Sequence, residues 1–437
     1  MNRSFYTIMA AQFFSSLADN ALLIAAIAQL LELDGPAWMV PLLKFFFTVS
    51  YVVLAAFVGA FADSIPKGRV MFVTNTIKLA GCLLLLFTDY VEFAGIPGYA
   101  LVLAAYAVVG FGAAAYSPAK YGILTELLPA EKLVAANGWI EGLTVTSIIL
   151  GTVLGGALIS PHIASMLLAI DVPHIDTGIE TPAEAATAVI SGLYIIAAAF
   201  NLFIPDTGAR YGKQQTNPAL LMRDFYLCLV MLWKDKLGQI SLAVTTLFWG
   251  AGAVLQFLVL QWAAVHLGLP LDKGAVLQGV TAVGVALGAV LAGRFISLRR
   301  SLDVLPAGVA MGAVVTFMIF VSNMALVYVL LILIGMMAGF FVVPMNALLQ
   351  HRGYVLLSAG HSIAVQNFNE NISILVMLAI YSAMIKASLY INTIILAFGS
   401  FVVVTMFAVI LRHRYNQSQG DSLHLIGMKT DRRRGYP

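Results

Sequence analysis

Twelve stretches of this chain are each long and apolar enough to cross a lipid bilayer as a helix. A membrane-spanning helix needs about 20 mainly apolar residues. A soluble fold is excluded, because 61% of the 437 residues are hydrophobic and 10% are charged, against about 25% charged in soluble domains. We therefore predict an all-α membrane protein with spans at residues 7–31, 40–62, 70–88, 98–117, 135–160, 186–205, 240–262, 274–294, 303–322, 326–346, 360–384 and 388–411.

Positive charge is concentrated in alternate connections between these spans, and cytoplasmic connections of membrane proteins are enriched in Lys and Arg. The basic connections and the tail contain Lys67, Arg69, Lys120, Lys132, Arg210, Lys213, Arg223, Lys234, Lys236, Arg294, Arg299, Arg300, Arg352 and Arg432, Arg433, Arg434. The acidic connections contain Asp89, Glu92, Asp171, Asp176, Glu180 and Glu184. Both termini and the middle connection are therefore predicted to be cytoplasmic. The net charge of +3 reflects this bias, and no nucleic-acid partner is expected.

The middle connection divides the spans into six and six. Asn137 with Glu141 in the fifth span corresponds to Asn367 with Glu370 in the eleventh, which indicates an internal duplication. Two six-helix halves are typical of transporters built from internal repeats, whose substrate site lies near the midplane. The predicted organisation is an N-terminal six-helix half at 1–205, a cytoplasmic middle connection at 206–239, a C-terminal six-helix half at 240–411 and a cytoplasmic tail at 412–437.

The connection after the second span has the sequence GAFADSIPKGR, from Gly59 to Arg69. Its spacing resembles the loop signature of the major facilitator superfamily. That resemblance implies the major facilitator fold and a cytoplasmic gate formed by Gly59, Asp63, Lys67 and Arg69. A carboxylate at Asp63 can accept charge-assisted hydrogen bonds from helix termini or from Arg69. The alternative is a solvated loop with ordinary cytoplasmic charges. The corresponding second-half connection has Gly293 in place of the acidic residue.

Polar residues inside the spans are candidates for a substrate pathway, since an ionisable group in hydrocarbon is costly unless it faces a cavity or a partner. Gln12, Ser16 and Asp19 share one face of the first span, and Asp19 lies roughly 18 Å into it, close to the midplane. The alternative role is structural, as internal ion pairs that hold the halves together or as hydrogen bonds between helices. The predicted binding and translocation residues are Asp19, Asn20, Lys78, Lys120, Asn137, Glu141, Gln256, Gln366, Asn367 and Glu370.

The sequence contains no pattern typical of an enzyme. None of the seven histidines is followed by an acidic residue in an H-x-x-x-x-D acyltransferase arrangement, and there is no Walker A sequence. Cys82 and Cys228 are far apart and make no metal-binding spacing. No catalytic residue, cofactor or metal site is expected.

Several blocks resemble one branch of the superfamily, the bacterial lysophospholipid transporters. They include AQFFSSLADNALL at 11–23, YSPAKYG at 116–122, FFVVPMNALLQ at 340–350 and AVQNFNEN at 364–371. The resemblance covers nearly the whole chain. It implies transport of lysophospholipids, chiefly lysophosphatidylethanolamine, from the outer to the cytoplasmic leaflet of the bacterial inner membrane. It also implies an acyltransferase partner on the cytoplasmic side that restores the missing acyl chain.

One position departs from that family, in which an arginine often stands in the seventh span. This chain has Gln256 there, in AVLQF. A glutamine can donate hydrogen bonds to a phosphate but supplies no charge. Asp19 is then expected to be balanced by Lys78, by a bound ion, by a proton or by the substrate.

Two other functions are compatible with the residues. The first is a proton-coupled exporter of small amphiphiles that uses the carboxylates of Asp19 and Glu370 as proton sites. The second is a membrane scaffold that binds an acyltransferase without transporting anything. The polar faces of the spans favour a transporter over a scaffold, and the lipid cargo rests on the resemblance.

Overall fold

The structure, a computed structural model, describes residues 3–35, 39–88, 95, 97–169, 179–269, 271–420 and 422–426. These residues are almost entirely helical. The first half contains α1 Arg3–Glu32, α2 Val40–Val53, α3 Ala55–Ser64, α4 Lys67–Leu84, α5 Gly98–Leu127, α6 Leu133–Leu158, α7 Pro161–Leu168 and α8 Pro182–Leu202. The second half contains α9 Pro218–Lys234, α10 Gly238–His266, α11 Leu271–Phe295, α12 Leu305–Phe317, α13 Met324–Leu356, α14 Ala359–Lys386 and α15 Ile391–Ser418. The predicted acidic residues Asp89, Glu92, Asp171 and Asp176 and the basic residues 432–434 lie outside the described residues.

The prediction of twelve spans is confirmed, with one of them broken. Eleven helices of the described chain are long and apolar enough to cross a membrane, and the bent pair α2 and α3 makes a twelfth when it is counted as one span. The predicted span 40–62 is interrupted at Leu54, where the axis bends by 67°. The Ser50 hydroxyl donates to the Phe46 carbonyl one turn before the break, and such back-bonding is associated with bent helices.

Two spans are longer than predicted. Helix α5 continues past residue 117, and α13 continues past residue 346, so that Pro118 and Pro344 both lie inside a helix. A proline is tolerated within a membrane helix because neighbouring groups satisfy the freed carbonyl. Their matching positions in the fourth and tenth spans agree with the duplication indicated by the sequence.

A helix that was not predicted, α9, lies inside the middle connection 206–239. Asn217 caps it by accepting a hydrogen bond from the Ala219 N–H at 3.0 Å, and Pro218 occupies the first helical turn. An asparagine cap followed by proline is a strong start signal for a helix. The helix has 17 residues and follows a polar stretch, so its sequence does not have the length of a membrane span.

The chain forms two compact units. Unit 1 comprises Met1–Lys120 and Thr146–Gln214, and unit 2 comprises Tyr121–Val145 and Gln215–Pro437. The core of unit 1 contains Ala18, Leu22 and Ala25 of α1 packed with Cys82 of α4 and Ile190 of α8.

Glycines set the helix contacts within unit 2. A Cβ added at Gly284 or Gly288 of α11 would collide with the α13 carbonyls of Ile332 and Met336. Gly339 of α13 has the reciprocal contact with α11. Small residues four apart let the backbones of membrane helices approach closely. This contact fixes α13, which carries several of the polar residues described below.

Candidate functional site

A buried ion pair joins α1 and α4 inside unit 1. The Lys78 ammonium lies 2.7 Å from Oδ2 and 3.0 Å from Oδ1 of Asp19. The lysine side chain is 2% exposed and the aspartate side chain 20%. Of the four partners expected for Asp19, the structure therefore has Lys78. Both residues belong to unit 1, so this ion pair does not join the two predicted halves.

Hydroxyl and amide groups complete the surroundings of this pair. The Lys78 ammonium also donates to Ser15 Oγ at 2.9 Å, and that hydroxyl donates to Asn75 Oδ1 at 2.8 Å. The Tyr194 hydroxyl donates to Asp19 Oδ1 at 2.7 Å. We call Ser15, Asp19, Asn75, Lys78 and Tyr194 the unit 1 polar cluster. Its groups satisfy a charge pair that would otherwise be costly to bury.

Aromatic rings and a glycine position the lysine. Its Nζ lies 4.9 Å from the ring centroid of Tyr116 and 5.9 Å from that of Tyr194, distances at which a ring face attracts a cation. A Cβ at Gly112 would lie 2.7 Å from Cγ of Lys78. Helix α5 therefore packs directly on the lysine stem, which orients its ammonium toward α1.

Helices α1, α4, α5 and α8 contribute to the unit 1 polar cluster and its surroundings. Four of the contributing residues were not among the predicted site residues: Ser15, Asn75, Tyr116 and Tyr194. A signal for Tyr194 exists in the sixth span, where Thr187, Ser191 and Tyr194 recur at i, i+4 and i+7. The predicted residue Asn20 is instead bonded within its own helix, where its amide donates to the Ser16 carbonyl at 2.8 Å.

A second buried group of polar residues lies in unit 2. Asn137 of α6 and Gln350 of α13 exchange two amide hydrogen bonds, each 2.9 Å long. Both side chains are almost completely buried, at 0% and 1% exposure. A reciprocal amide pair satisfies both groups at once, so it fixes α6 against α13 at this level.

Two buried carboxylates lie at the ends of a chain of amides in the same unit. Asn346 donates to Oε1 of Glu141 at 3.3 Å, and Gln366 donates both to Oδ1 of Asn346 at 3.0 Å and to Oε1 of Glu370 at 2.7 Å. This group brings together three predicted residues. Asn346 and Gln350, which were not predicted as site residues, are four apart on α13, a spacing that places them on one helix face.

The remaining predicted residues lie apart from these contacts. Asn367 is buried on α14, where its carbonyl accepts a hydrogen bond from the Asn371 side chain. Lys120 is half-buried at the end of the unit 1 segment. The Gln256 side chain is exposed, and its main-chain carbonyl accepts a hydrogen bond from Gln278.

The predicted gate connection forms a compact turn between α3 and α4. Lys67 lies 2.5 Å from Asp63 and donates to the Ala62 carbonyl at 2.7 Å, and both charged side chains are buried. The Lys67 ammonium also lies 4.9 Å from the ring centroid of Tyr211. Gly59 is buried and Arg69 is exposed. Lys67 thus satisfies a carbonyl at the end of α3 and neutralises Asp63, which holds this turn together.

The sequence of this chain is similar to those of known membrane transporters. The family model of the Major Facilitator Superfamily matches residues 8–377. The lysophospholipid transporter LplT of Yersinia enterocolitica is 41% identical to this chain over 388 residues, which are 88% of each protein. The protein of the same name from Yersinia pestis is 42% identical over the same share of both chains.

Solved structures of the same fold are more distant in sequence. A bacterial homologue of the iron transporter ferroportin superposes with a TM-score of 0.70 at 15% identity, covering 95% of this chain and 100% of its own. The Escherichia coli fucose:proton symporter gives 0.69 at 14% identity, covering 95% and 99%. The human organic anion transporter gives 0.69 at 13% identity, covering 94% and 100%. At these identities the likeness establishes the fold.

Proposed function

The chain belongs to the lysophospholipid transporters of the major facilitator superfamily, and from this premise we propose how it handles its cargo. It moves lysophospholipids, chiefly lysophosphatidylethanolamine, to the cytoplasmic leaflet of the bacterial inner membrane. It does so by alternating access between a half at 1–205 and a half at 240–411, with both termini and the middle connection cytoplasmic. An acyltransferase on that side re-acylates the product.

The observation that carries this proposal is the ion pair between Asp19 and Lys78. A lysophosphatidylethanolamine headgroup has one phosphate anion and one ammonium. Its phosphate is complementary to Lys78, and its ammonium is complementary to Asp19. When the headgroup enters, Lys78 transfers its contact from Asp19 to the phosphate, and Asp19 accepts the headgroup ammonium. The charge-assisted hydrogen bonds between Asp19 and Lys78 are thereby replaced by charge-assisted hydrogen bonds from each residue to the headgroup. No uncompensated charge is left in the membrane at any stage, which keeps the cost of the exchange low.

The neighbouring groups have defined roles in this exchange. The Tyr194 hydroxyl continues to donate to Asp19, and Ser15 and Asn75 give the phosphate hydrogen-bonding partners beside Lys78. The partial exposure of Asp19 gives the headgroup a point of entry, while Lys78 is reached after the aspartate. The single acyl chain stays among apolar side chains or lipid, since hydrocarbon solvates it equally well.

A transport assay in vesicles tests the proposal. Purified protein in proteoliposomes is expected to move fluorescent lysophosphatidylethanolamine between leaflets, and Lys78→Gln and Asp19→Asn are each expected to abolish the movement. The matched control is Arg300→Gln, which removes an exposed cation paired with Asp303. Failure of the unaltered protein to move the lipid would refute the proposal.

The alternative is a proton-coupled exporter of small amphiphiles, and Glu370 is the observation that favours it. This carboxylate is 6% exposed and accepts a hydrogen bond from the amide of Gln366 at 2.7 Å, and ionisable residues buried in membrane spans mark proton pathways in transporters. That function requires a pH gradient to drive transport and requires Glu370→Gln to uncouple it. A gradient-independent lipid movement that survives Glu370→Gln contradicts the alternative.

A further inference from the structure

Helix α9, in the middle connection, has exposed apolar side chains on a segment outside the predicted spans. Met222 is 60% exposed, Tyr226 is 61% exposed and Trp233 is 39% exposed. These residues recur at i, i+4 and i+11, so they form one stripe along the helix. We call Met222, Tyr226 and Trp233 the α9 apolar stripe. Exposed aromatic and apolar groups arranged in a stripe mark a surface that contacts a partner or a membrane.

A neighbouring side of α9 is packed within unit 2. Phe225, Cys228 and Leu232 are buried. The Phe225 ring meets that of Phe368 on α14 edge-on, with centroids 5.2 Å apart. The Trp233 indole donates to Oδ1 of Asn369 at 3.3 Å. The helix is therefore packed on α14 by its buried face and by the edge that carries Trp233, while Met222 and Tyr226 stay exposed.

The carboxyl end of α9 is fixed as well. Asp235, directly after the helix, accepts hydrogen bonds from the Arg352 guanidinium at 2.7 and 3.1 Å. Its Oδ1 also accepts a hydrogen bond at 2.7 Å from the N–H of Gly238, the first residue of α10. Charge-assisted bidentate contacts of this kind are strong and directional. Helix α9 is held in place from its middle to its end.

The contacts with α14 determine what surrounds the stripe. Phe368 and Asn369 lie nine and ten residues after Ala359, the first residue of α14, which corresponds to about 15 Å along the axis. Helix α14 is itself a candidate membrane span. The part of α14 that contacts α9 therefore lies within a candidate membrane span.

Cationic residues accompany the apolar stripe. Arg223 and Lys234 are exposed on α9, at spacings that place them side by side with Leu227, which is 47% exposed. Basic side chains next to an apolar face that contains Trp are typical of helices that lie in the membrane interface. Each basic residue near an anionic leaflet strengthens the electrostatic attraction between the helix and that leaflet.

We propose that α9 is a membrane-docking helix that binds anionic phospholipids. The α9 apolar stripe inserts among the acyl chains of one leaflet. Arg223 and Lys234 bind the phosphates of anionic headgroups in the same leaflet. The contact of Phe225 with Phe368 connects α9 to α14, and the Asp235–Arg352 ion pair connects its end to α13, so docking of α9 fixes these two helices relative to the leaflet. The docking is independent of which lipid the protein transports.

Fluorescent probes on the full-length protein test the insertion. Met222→Cys and Tyr226→Cys are labelled with an environment-sensitive fluorophore, with the buried Cys82 and Cys228 replaced by alanine. The control is Lys213→Cys, an exposed residue in the extended part of the connection. In vesicles of phosphatidylethanolamine and phosphatidylglycerol, both α9 probes are expected to be quenched by brominated acyl chains and protected from aqueous iodide. The control is expected to behave in the opposite way.

The charge dependence is tested by the double variant Arg223→Gln/Lys234→Gln. Its matched control is Arg299→Gln/Arg414→Gln, which removes two exposed cations elsewhere. Raising the phosphatidylglycerol content is expected to increase acyl-chain quenching in the unaltered protein and the control, and to have no effect in the α9 variant. Quenching of both α9 probes by iodide in every vesicle overturns the proposal, because the apolar stripe then lies in water. Equal quenching with and without phosphatidylglycerol overturns the anionic-lipid part.

Discussion

At the scale of single residues, Lys78 is the side chain on which most of the unit 1 polar cluster depends. It is 1% exposed, and its ammonium contacts Asp19 and Ser15 while facing two tyrosine rings. A buried ion pair contributes little to net stability, yet removal of one partner leaves the other charge uncompensated. Stability and transport are therefore expected to respond differently to changes at this position.

Loss of one charge of the pair is expected to destabilise the protein, whereas loss of both is not. Lys78→Met should lower the free energy of unfolding by up to about 3–5 kcal/mol, because Asp19, whose side chain is 20% exposed, loses its cation. The double variant Asp19→Asn/Lys78→Met should recover most of that loss but should not transport. Thermal unfolding in detergent and vesicle transport measure the two effects. A double variant as unstable as Lys78→Met would contradict the explanation.

The two tyrosines near Lys78 are expected to differ. Tyr194→Phe removes a hydrogen bond to the Asp19 carboxylate. It should lower the free energy of unfolding, or weaken the binding free energy of the headgroup, by about 1.5–3 kcal/mol. Tyr116→Phe keeps the ring over Lys78 and removes a hydroxyl that has no hydrogen-bond partner among the described residues. It should be close to neutral and is the matched control. Equal losses in both variants would show that the Tyr194 hydroxyl has no special role.

The exposed pair of Asp206 and Arg210 is not expected to give transport a pH dependence. The Arg210 guanidinium, with the Gly208 N–H, lowers the pKa of Asp206 to about 2. The folded pKa is below the unfolded one, so any stabilisation is complete above about pH 4 and is lost as the pH falls through about 2. Asp206→Asn should therefore leave the pH profile of transport between about pH 5 and 8 unchanged. A profile that shifts in this variant would contradict this expectation.

At the scale of elements, α11 and α13 approach each other through glycines. The Cβ of Gly288→Ala would collide with the Met336 carbonyl, which is backbone and cannot yield easily. Overpacking of this kind should cost about 1–3 kcal/mol. Gly279→Ala on the same helix has open space and is the control. Thermal unfolding of both variants distinguishes a specific contact from a general sensitivity to alanine.

At the scale of the whole molecule, transport is expected to follow the lysophospholipid gradient. The sequence contains no Walker A motif, and we expect no ATP hydrolysis by this chain. Flux in proteoliposomes should persist without a pH gradient and reverse when the lipid gradient is reversed. The comparison uses vesicles with equal internal and external pH. Flux that appears when a pH gradient is imposed, and is absent without it, would favour the proton-coupled alternative.

The sequence by itself determined the fold class, the twelve spans and the need for polar residues inside them. Hydropathy is a local property, and a stretch of about 20 apolar residues has few other stable environments. The sequence also placed Asp19 and Lys78 among the functional candidates, because a charge in hydrocarbon requires a partner. It did not predict α9, whose cap and proline are short signals within a polar connection.

The tertiary structure decided which groups satisfy one another. Asp19 is bonded to Lys78, 59 residues away, and to Tyr194, 175 residues away. Asn137 is bonded to Gln350 at a separation of 213 residues. Hydrophobicity drives each helix into the membrane but does not select its neighbours there, because lipid chains are as apolar as the helix surface. Close packing at glycines and the directional demands of buried polar groups make that selection, and both depend on the three-dimensional arrangement.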